Sequence, residues 1–195
     1  MTHIILASSS STRKDLMNRL NIKYQAISPD IDESAVQGEA ADQLAQRLSI
    51  EKAQIIAKQF PDAIVIGSDQ VAWLEDDPLN FIGKPYTVEA AIAQLKNQSG
   101  KVVCFSTGVS VQCYAKNINL NQVVQFKVKF RDLTTAEIER YVAFDQPLHC
   151  AGSFKCESLG LSLFDWTQGE DFTALMGLPL IQLCQFLRQF NLQVP

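Results

Sequence analysis

No run of about 18 apolar residues occurs anywhere in this 195-residue chain, so no membrane-spanning helix is expected. There is no C-x-x-C pair, and the five cysteines (Cys104, Cys113, Cys150, Cys156 and Cys184) are an odd number. Disulfide and zinc frameworks are therefore poor readings, and reduced, mostly structural thiols are the better one. Only two histidines, His3 and His149, are present. Neither belongs to a cluster with metal-ligand spacing, so both read as structural. Positive charge is in deficit, with 17 Lys and Arg against 21 Asp and Glu, a net charge of −4 and a pI near 5.2. That balance argues against nucleic acid as the main partner, because backbone phosphates need a basic face. It leaves room for one small anion in a locally basic cleft. The P-loop and dinucleotide-binding glycine patterns are both missing. The opening MTHIILASSS has no basic region and too short an apolar stretch for a secretory signal, so a cytoplasmic location is expected. No internal repeat, low-complexity tract or linker interrupts the chain.

What is present reads as an ordinary globular domain. Hydrophobic residues make up 47% and charged residues 19%, and the length suits one domain or two small lobes. HIILAS is a short buried strand, followed by four serines and a helix, TRKDLMNRLNI, for which Ser10 or Ser11 is a natural N-cap. YQAISPDIDES reads as a second strand running into an acidic loop. Residues 40 to 60 form the clearest helix, with Leu44, Leu48, Ile55 and Ile56 on its apolar face and Pro61 closing it. AIVIGSD reads as a strand ending in Asp69, then a polar excursion, EDDPLNF, returning through IGKP. Further on come a helix between Thr87 and Gly100, two β-rich runs, a helix opened by a Thr134–Glu137 capping box, and a last helix from Pro179 to about Phe190. Trp73, Trp166 and most phenylalanines are expected in the core. The expected class is α/β, a mixed twisted sheet with flanking helices, split into two lobes around a central groove.

The chemistry-bearing residues stand out against this frame. A strand passing through small hydroxyl residues into a helix N-terminus offers free backbone N–H groups and a positive dipole end, which suit phosphate. Arg13, in the first helical turn, adds a planar fork of donors; the bland reading is a capped helix with solvated basic residues. Lys52 lies inside an apolar stripe, so it either snorkels outward or aims its ammonium into a polar cleft. Lys84 sits on a tight turn between Gly83 and Pro85. Asp69 is an acid delivered at the end of a hydrophobic run, costly unless paired, hydrated or holding a metal, although a turn or cap role also fits. Asp30, Asp32 and Glu33 form a second acidic group. Three cations and two acidic groups on converging segments point to a polyphosphate site assisted by Mg²⁺. Each cation near 4 Å from a phosphate charge contributes roughly 4 kcal/mol at intermediate dielectric.

The segments LASSSSTRKDLM, DIDES, EKA, GSDQV, GKP, LHCAGSFKCE and GLPL occur in an order that resembles the Maf-like nucleotide pyrophosphatases. The match runs from about residue 3 to residue 188, and residues 1–195 are expected to form a single Maf-like domain. The resemblance implies hydrolysis of a nucleoside triphosphate at its α–β bond, giving a monophosphate and pyrophosphate, with a divalent metal, Mg²⁺ or Mn²⁺. It implies Asp69 as proton acceptor or metal-associated acid, and Glu33 as an acid facing the metal or water. Arg13, Lys52 and Lys84 would contact phosphate, and Ser8 and Ser10 would line the phosphate end.

Within the family, GSDQV with HCAGSFK looks like the branch acting on 7-methyl-GTP, whereas the dTTP and UTP branch shows ADT at Ser68, Asp69 and Gln70. Thr12, Gln70 and Glu157 occupy the positions tied to substrate choice. N7 methylation makes guanine cationic, so an acid such as Glu157, or an aromatic face, would discriminate by charge or cation–π contact. The usual S-P-R-R reads Ser10, Ser11, Thr12, Arg13 here, so a proline and one arginine are missing. The segment from Asp69 to Gly83 also carries extra residues. The alternatives are the same chemistry on dTTP or UTP, or a nucleotide-binding regulator of cell division without turnover. The exposed edges of a mixed sheet are compatible with a homodimer.

Overall fold

The computed structural model describes residues 3–194; Met1, Thr2 and Pro195, the ends of the expected domain, lie outside the described residues. The elements run β1 (Ile4–Ala7), α1 (Ser11–Arg19), β2 (Gln25–Ile27), α2 (Ala41–Gln59), β3 (Ile64–Leu74), β4 (Asp77–Phe81), α3 (Val88–Gln98), β5 (Val102–Cys113) and β6 (Ile118–Phe130). They continue through α4 (Thr135–Asp145), a 3-10 helix (Leu159–Leu163), β7 (Phe164–Gly169), α5 (Phe172–Leu175) and α6 (Leu180–Gln189). Seven strands form one mixed sheet in the order β2-β1-β3-β5-β6-β7, with β4 paired to β3. β1 is parallel to both β2 and β3, whereas β4 on β3 and β7 on β6 are antiparallel. No helix of the described residues is long and apolar enough to cross a membrane.

The chain divides into two compact units, residues 1–70, 106–124 and 171–195 in the first and residues 71–105 and 125–170 in the second. In the first unit the parallel strands are buried on both faces, which is why their sequences are continuous apolar runs rather than alternating ones. Ile4, Leu6, Ile64 and Ile66 point to one face, where Leu16 and Met17 of α1 and Leu183, Phe186 and Leu187 of α6 cover them. Ile5, Ala7 and Val65 point to the other, against Ala53, Ile56 and Ala57 of α2. In the second unit Phe105, Phe130, Phe154 and Phe164 meet edge to face with centroids 5.0–5.8 Å apart.

Two glycines set how closely α2 lies on the sheet. A Cβ on Gly67 of β3 would overlap the Ser49 carbonyl oxygen, and one on Gly108 of β5 would overlap the Ala45 carbonyl oxygen. Glycine inside a strand is the sequence mark of such an approach.

The structure corrects the expected outline in several places. β3 does not stop at Asp69 but continues five residues further, to Leu74. The polar excursion is itself a strand, β4, with Trp73 opposite Phe81. Polarity hid it, because β4 is mostly exposed on an edge. Trp166 is not core: it lies 44% exposed on β7, the terminal strand of the sheet. The four-residue α5 was too short for periodicity to register.

Gly67→Ala and Gly108→Ala should each lower the melting temperature by roughly 3–10 °C, because overpacking forces α2 off the sheet. Gly83→Ala, where nothing lies within 4 Å of an added Cβ, should leave it nearly unchanged in the same thermal scan.

Candidate active site

β1 ends at Ala7, opposite Gly67 of β3. From there the chain leaves the sheet through Ser8, whose hydroxyl accepts from the Ser10 N–H at 3.2 Å. Ser10 is the N-cap of α1, its side chain accepting from the Arg13 N–H at 3.3 Å. So β1, not β3, supplies the expected strand end, and Asp69 stands on its neighbour just past that end. Crevices outside the carboxyl ends of parallel strands are where α/β sheets gather ligands.

The period of two along β3 then assigns the side chains. Odd positions Val65, Gly67 and Asp69 face α2. Lys52, one helical turn from both Leu48 and Ile56, meets Asp69 there, its Nζ donating to Asp69 Oδ1 at 2.6 Å. Lys52 is 5% exposed and Asp69 8%. The lysine therefore does not snorkel; its ammonium points inward and is paired, as a buried charge must be. The same Nζ lies 2.6 Å from Glu33 Oε1, an acid that is otherwise largely exposed on the β2–α2 loop. That loop is fixed by an Asp32 carboxylate accepting from the Ser34 N–H and by Arg47, which donates to the Ser34 carbonyl and to both oxygens of Glu39.

Even positions of β3 face the other way. Ser68 Oγ hydrogen-bonds the carbonyls of Gly108 at 2.7 Å and Gly177 at 2.9 Å. The Gln70 amide donates to Thr107 Oγ1 and to the carbonyls of Ala174 and Leu175. Arg13 Nε donates to the Gly177 carbonyl at 2.7 Å. Among the described residues, the turn around Gly177, at φ +95°, is thus braced by Arg13, Ser68, Gln70 and Thr107, whose hydroxyl also donates to the Ala174 carbonyl. This bracing was not foreseen, although GLPL marked the segment; hydrogen bonds to carbonyls leave no imprint on side-chain pattern.

Arg13 is half-buried, and desolvation pushes its guanidinium below its ordinary pKa while the charges of Asp69 and Glu33 push it up. Arg13, Lys52, Asp69 and Glu33 therefore share one electrostatic neighbourhood, two cations against two carboxylates. Thr12 stands half-exposed in the first turn of α1 beside them in sequence.

Lys84 and Glu157 belong to the second unit. Both are exposed there, and both act on the half-buried Cys150 thiol: burial pushes it up, Glu157 adds to that and Lys84 opposes it. The neighbouring Cys156 thiol is pushed up to about 12, mainly by burial and then by Glu157. Both are free thiols.

Among the described residues no cluster of three or more His, Cys, Asp or Glu forms a ready metal cage. The donor set nevertheless fits a hard divalent cation: two carboxylates converge on one cation, here the Lys52 ammonium. Mg²⁺ is commonly held by one or two carboxylates, waters and substrate phosphates, without an all-protein cage.

Comparison with known proteins adds to this geometry. A family model described as Maf-like protein matches residues 3–190. A relative from Acinetobacter baylyi named nucleoside triphosphate pyrophosphatase is 61% identical, covering 100% of this chain and 98% of its own. One from Pseudomonas aeruginosa named 7-methyl-GTP pyrophosphatase is 48% identical over the whole of both chains. Among solved structures, a HAM1 protein from Coxiella burnetii superposes with a TM-score of 0.57 at 17% identity, covering 97% of this chain and 100% of its own. The Ham1 protein of Staphylococcus aureus gives 0.55 at 16%, covering 96% and 99%. At that identity the likeness is one of fold.

Lys52→Met should destabilise the protein by about 3–5 kcal/mol in urea unfolding, because it strands the buried Asp69 carboxylate. The double variant Lys52→Met with Asp69→Leu should recover most of that loss.

Proposed function

Because this chain belongs to the Maf-like family, we propose that it is a nucleotide pyrophosphatase, hydrolysing the α–β phosphoanhydride of 7-methyl-GTP to 7-methyl-GMP and pyrophosphate. The observation that carries this reading is the Lys52 ammonium held between Asp69 and Glu33, beside Arg13 and the N-terminus of α1. The names of the relatives support the reaction, and that of the Pseudomonas protein supports the methylated substrate.

The site by itself is close to neutral, with two cations and two carboxylates. A triphosphate brings about four negative charges, so further positive charge is required before its cleavage can be stabilised. Lys84 supplies one cation in this reading. A divalent ion held by Asp69 and Glu33 would supply two more positive charges and lower the pKa of a bound water. The backbone N–H groups at the start of α1, with Ser8 and Ser10, receive the phosphate end. Arg13, its Nε fixed by the Gly177 carbonyl, offers its terminal nitrogens to phosphate oxygens. Asp69, whose Oδ1 is engaged by Lys52, takes the proton of the attacking water or orients that water.

Substrate choice falls to Thr12, Gln70 and Glu157. Gln70 has both amide hydrogens committed to Thr107, Ala174 and Leu175, so only its carbonyl oxygen is left to read a ligand. Glu157 offers a carboxylate to the cationic methylated base.

Pyrophosphate release should be seen with Mg²⁺ and 7-methyl-GTP in excess of the rate for other members of a nucleotide panel, and should stop on chelation. Release from dTTP or UTP alone would replace the substrate while keeping the reaction. Asp69→Asn should lower kcat about 10²–10⁴-fold with little change in substrate binding. Glu157→Gln should lower the ratio of kcat/KM for 7-methyl-GTP over GTP; an unchanged ratio removes Glu157 from substrate choice.

A further inference from the structure

Glu157 stands exposed at the end of a stretch whose other members are fastened down. Phe154 is buried in the aromatic cluster, its ring edge-to-face with Phe105, Phe130 and Phe164. The Lys155 N–H donates to Tyr141 Oη at 2.9 Å, and the Lys155 ammonium donates to the Asp145 carbonyl at 2.6 Å. That carbonyl belongs to the last turn of α4, where unpaired carbonyls and the helix dipole favour a cation. On the other side of Glu157, Ser158 Oγ donates to Asp145 Oδ1 at 2.6 Å. The N–H groups of Ser158 and Gly160 both return to the Lys155 carbonyl, at 3.2 and 3.0 Å. A Cβ on Gly160 would overlap that carbonyl oxygen, so the turn is tight. Lys155, two residues before Glu157, and Ser158, directly after it, are both tied to Asp145 of α4.

That residue is an unexpected one. The buried stripe of α4 is Ile138, Tyr141, Val142 and Asp145, the i, i+3, i+4, i+7 pattern in which the last place calls for an apolar side chain. Asp145 is only 6% exposed. Its Oδ2 is buried without a hydrogen bond of acceptable geometry, although Tyr141 Oη stands near enough for the carboxylate to raise the phenol pKa, which burial raises most. A half-satisfied buried carboxylate costs stability, and leucine would serve the packing better. The group is explained by what it holds.

We propose that Asp145 is a positioning residue, which fixes the Ser158 hydroxyl and through it the turn that presents the Glu157 carboxylate to the substrate base. It rests on the reading of Glu157 given above. A recognising group must be held within about 0.5 Å of its working position to discriminate. A loosened turn lets Glu157 adapt to methylated and unmethylated bases alike.

The test measures kcat/KM for 7-methyl-GTP and for GTP in Ser158→Ala, Asp145→Leu and Asp145→Asn, each in the native and the Glu157→Gln background. Ser158→Ala and Asp145→Leu should lower the 7-methyl-GTP to GTP ratio at least about threefold, through KM more than kcat. Asp145→Asn, which keeps an acceptor for Ser158, should retain most of the ratio. Asp145→Leu should melt no lower than the native protein. In the Glu157→Gln background none of the three should move the ratio further. A ratio unmoved by Ser158→Ala, where Glu157→Gln does lower it, overturns the positioning role and leaves the Glu157 reading intact. Equal effects in both backgrounds also overturn it, since Asp145 would then act on the fold rather than through Glu157. A ratio unmoved by Glu157→Gln removes both.

Discussion

A lysine and an aspartate, both nearly withdrawn from water, meet at 2.6 Å between α2 and β3, and the rest of the site is arranged around that pair. Neither charge would be stable alone in that environment, and together they are weak evidence for stability, since an apolar pair could fill the same space at lower cost. The Lys52 ammonium pairs with two carboxylates at once, the buried Asp69 and the largely exposed Glu33.

Backbone, more than side chains, makes that meeting possible. Gly67 and Gly108 lie under α2 where any side chain would collide with helix carbonyls. The helix can then approach the sheet closely enough for a lysine in its apolar stripe to reach a strand aspartate. The same strand, read one residue later each time, turns Ser68 and Gln70 to the opposite face to hold the Gly177 turn, which in turn fixes Arg13. One extended strand therefore organises both faces of the first unit, with charge on one and hydrogen-bonded scaffold on the other.

The second unit uses a different device. Its core is a cluster of phenylalanines, and the segment bearing Glu157 grows directly out of it through Phe154. Glu157 is exposed, but the residues around it are anchored in aromatic packing and at the end of α4.

The sequence alone determined the α/β class, a serine cap at Ser10 or Ser11, the Thr134–Glu137 box, the long α2 and the candidate residues, because these depend on local periodicity, capping and ordered short motifs. It also showed that Lys52 was out of place, since a charge in an apolar stripe breaks the local rule. Only the tertiary structure decided the direction in which that charge points, because snorkelling and inward pairing look identical until Asp69 is brought opposite from 17 residues away. The strand end beside Asp69 likewise belongs to β1 and not to β3, and β4 and α5 stayed hidden because an exposed edge strand and a single helical turn carry little periodic signal. The anchoring of Gln70, Arg13 and Asp145 was beyond the sequence for one reason. Hydrogen bonds to distant carbonyls and hydroxyls are set by where the backbone passes, and a list of side chains does not contain that path.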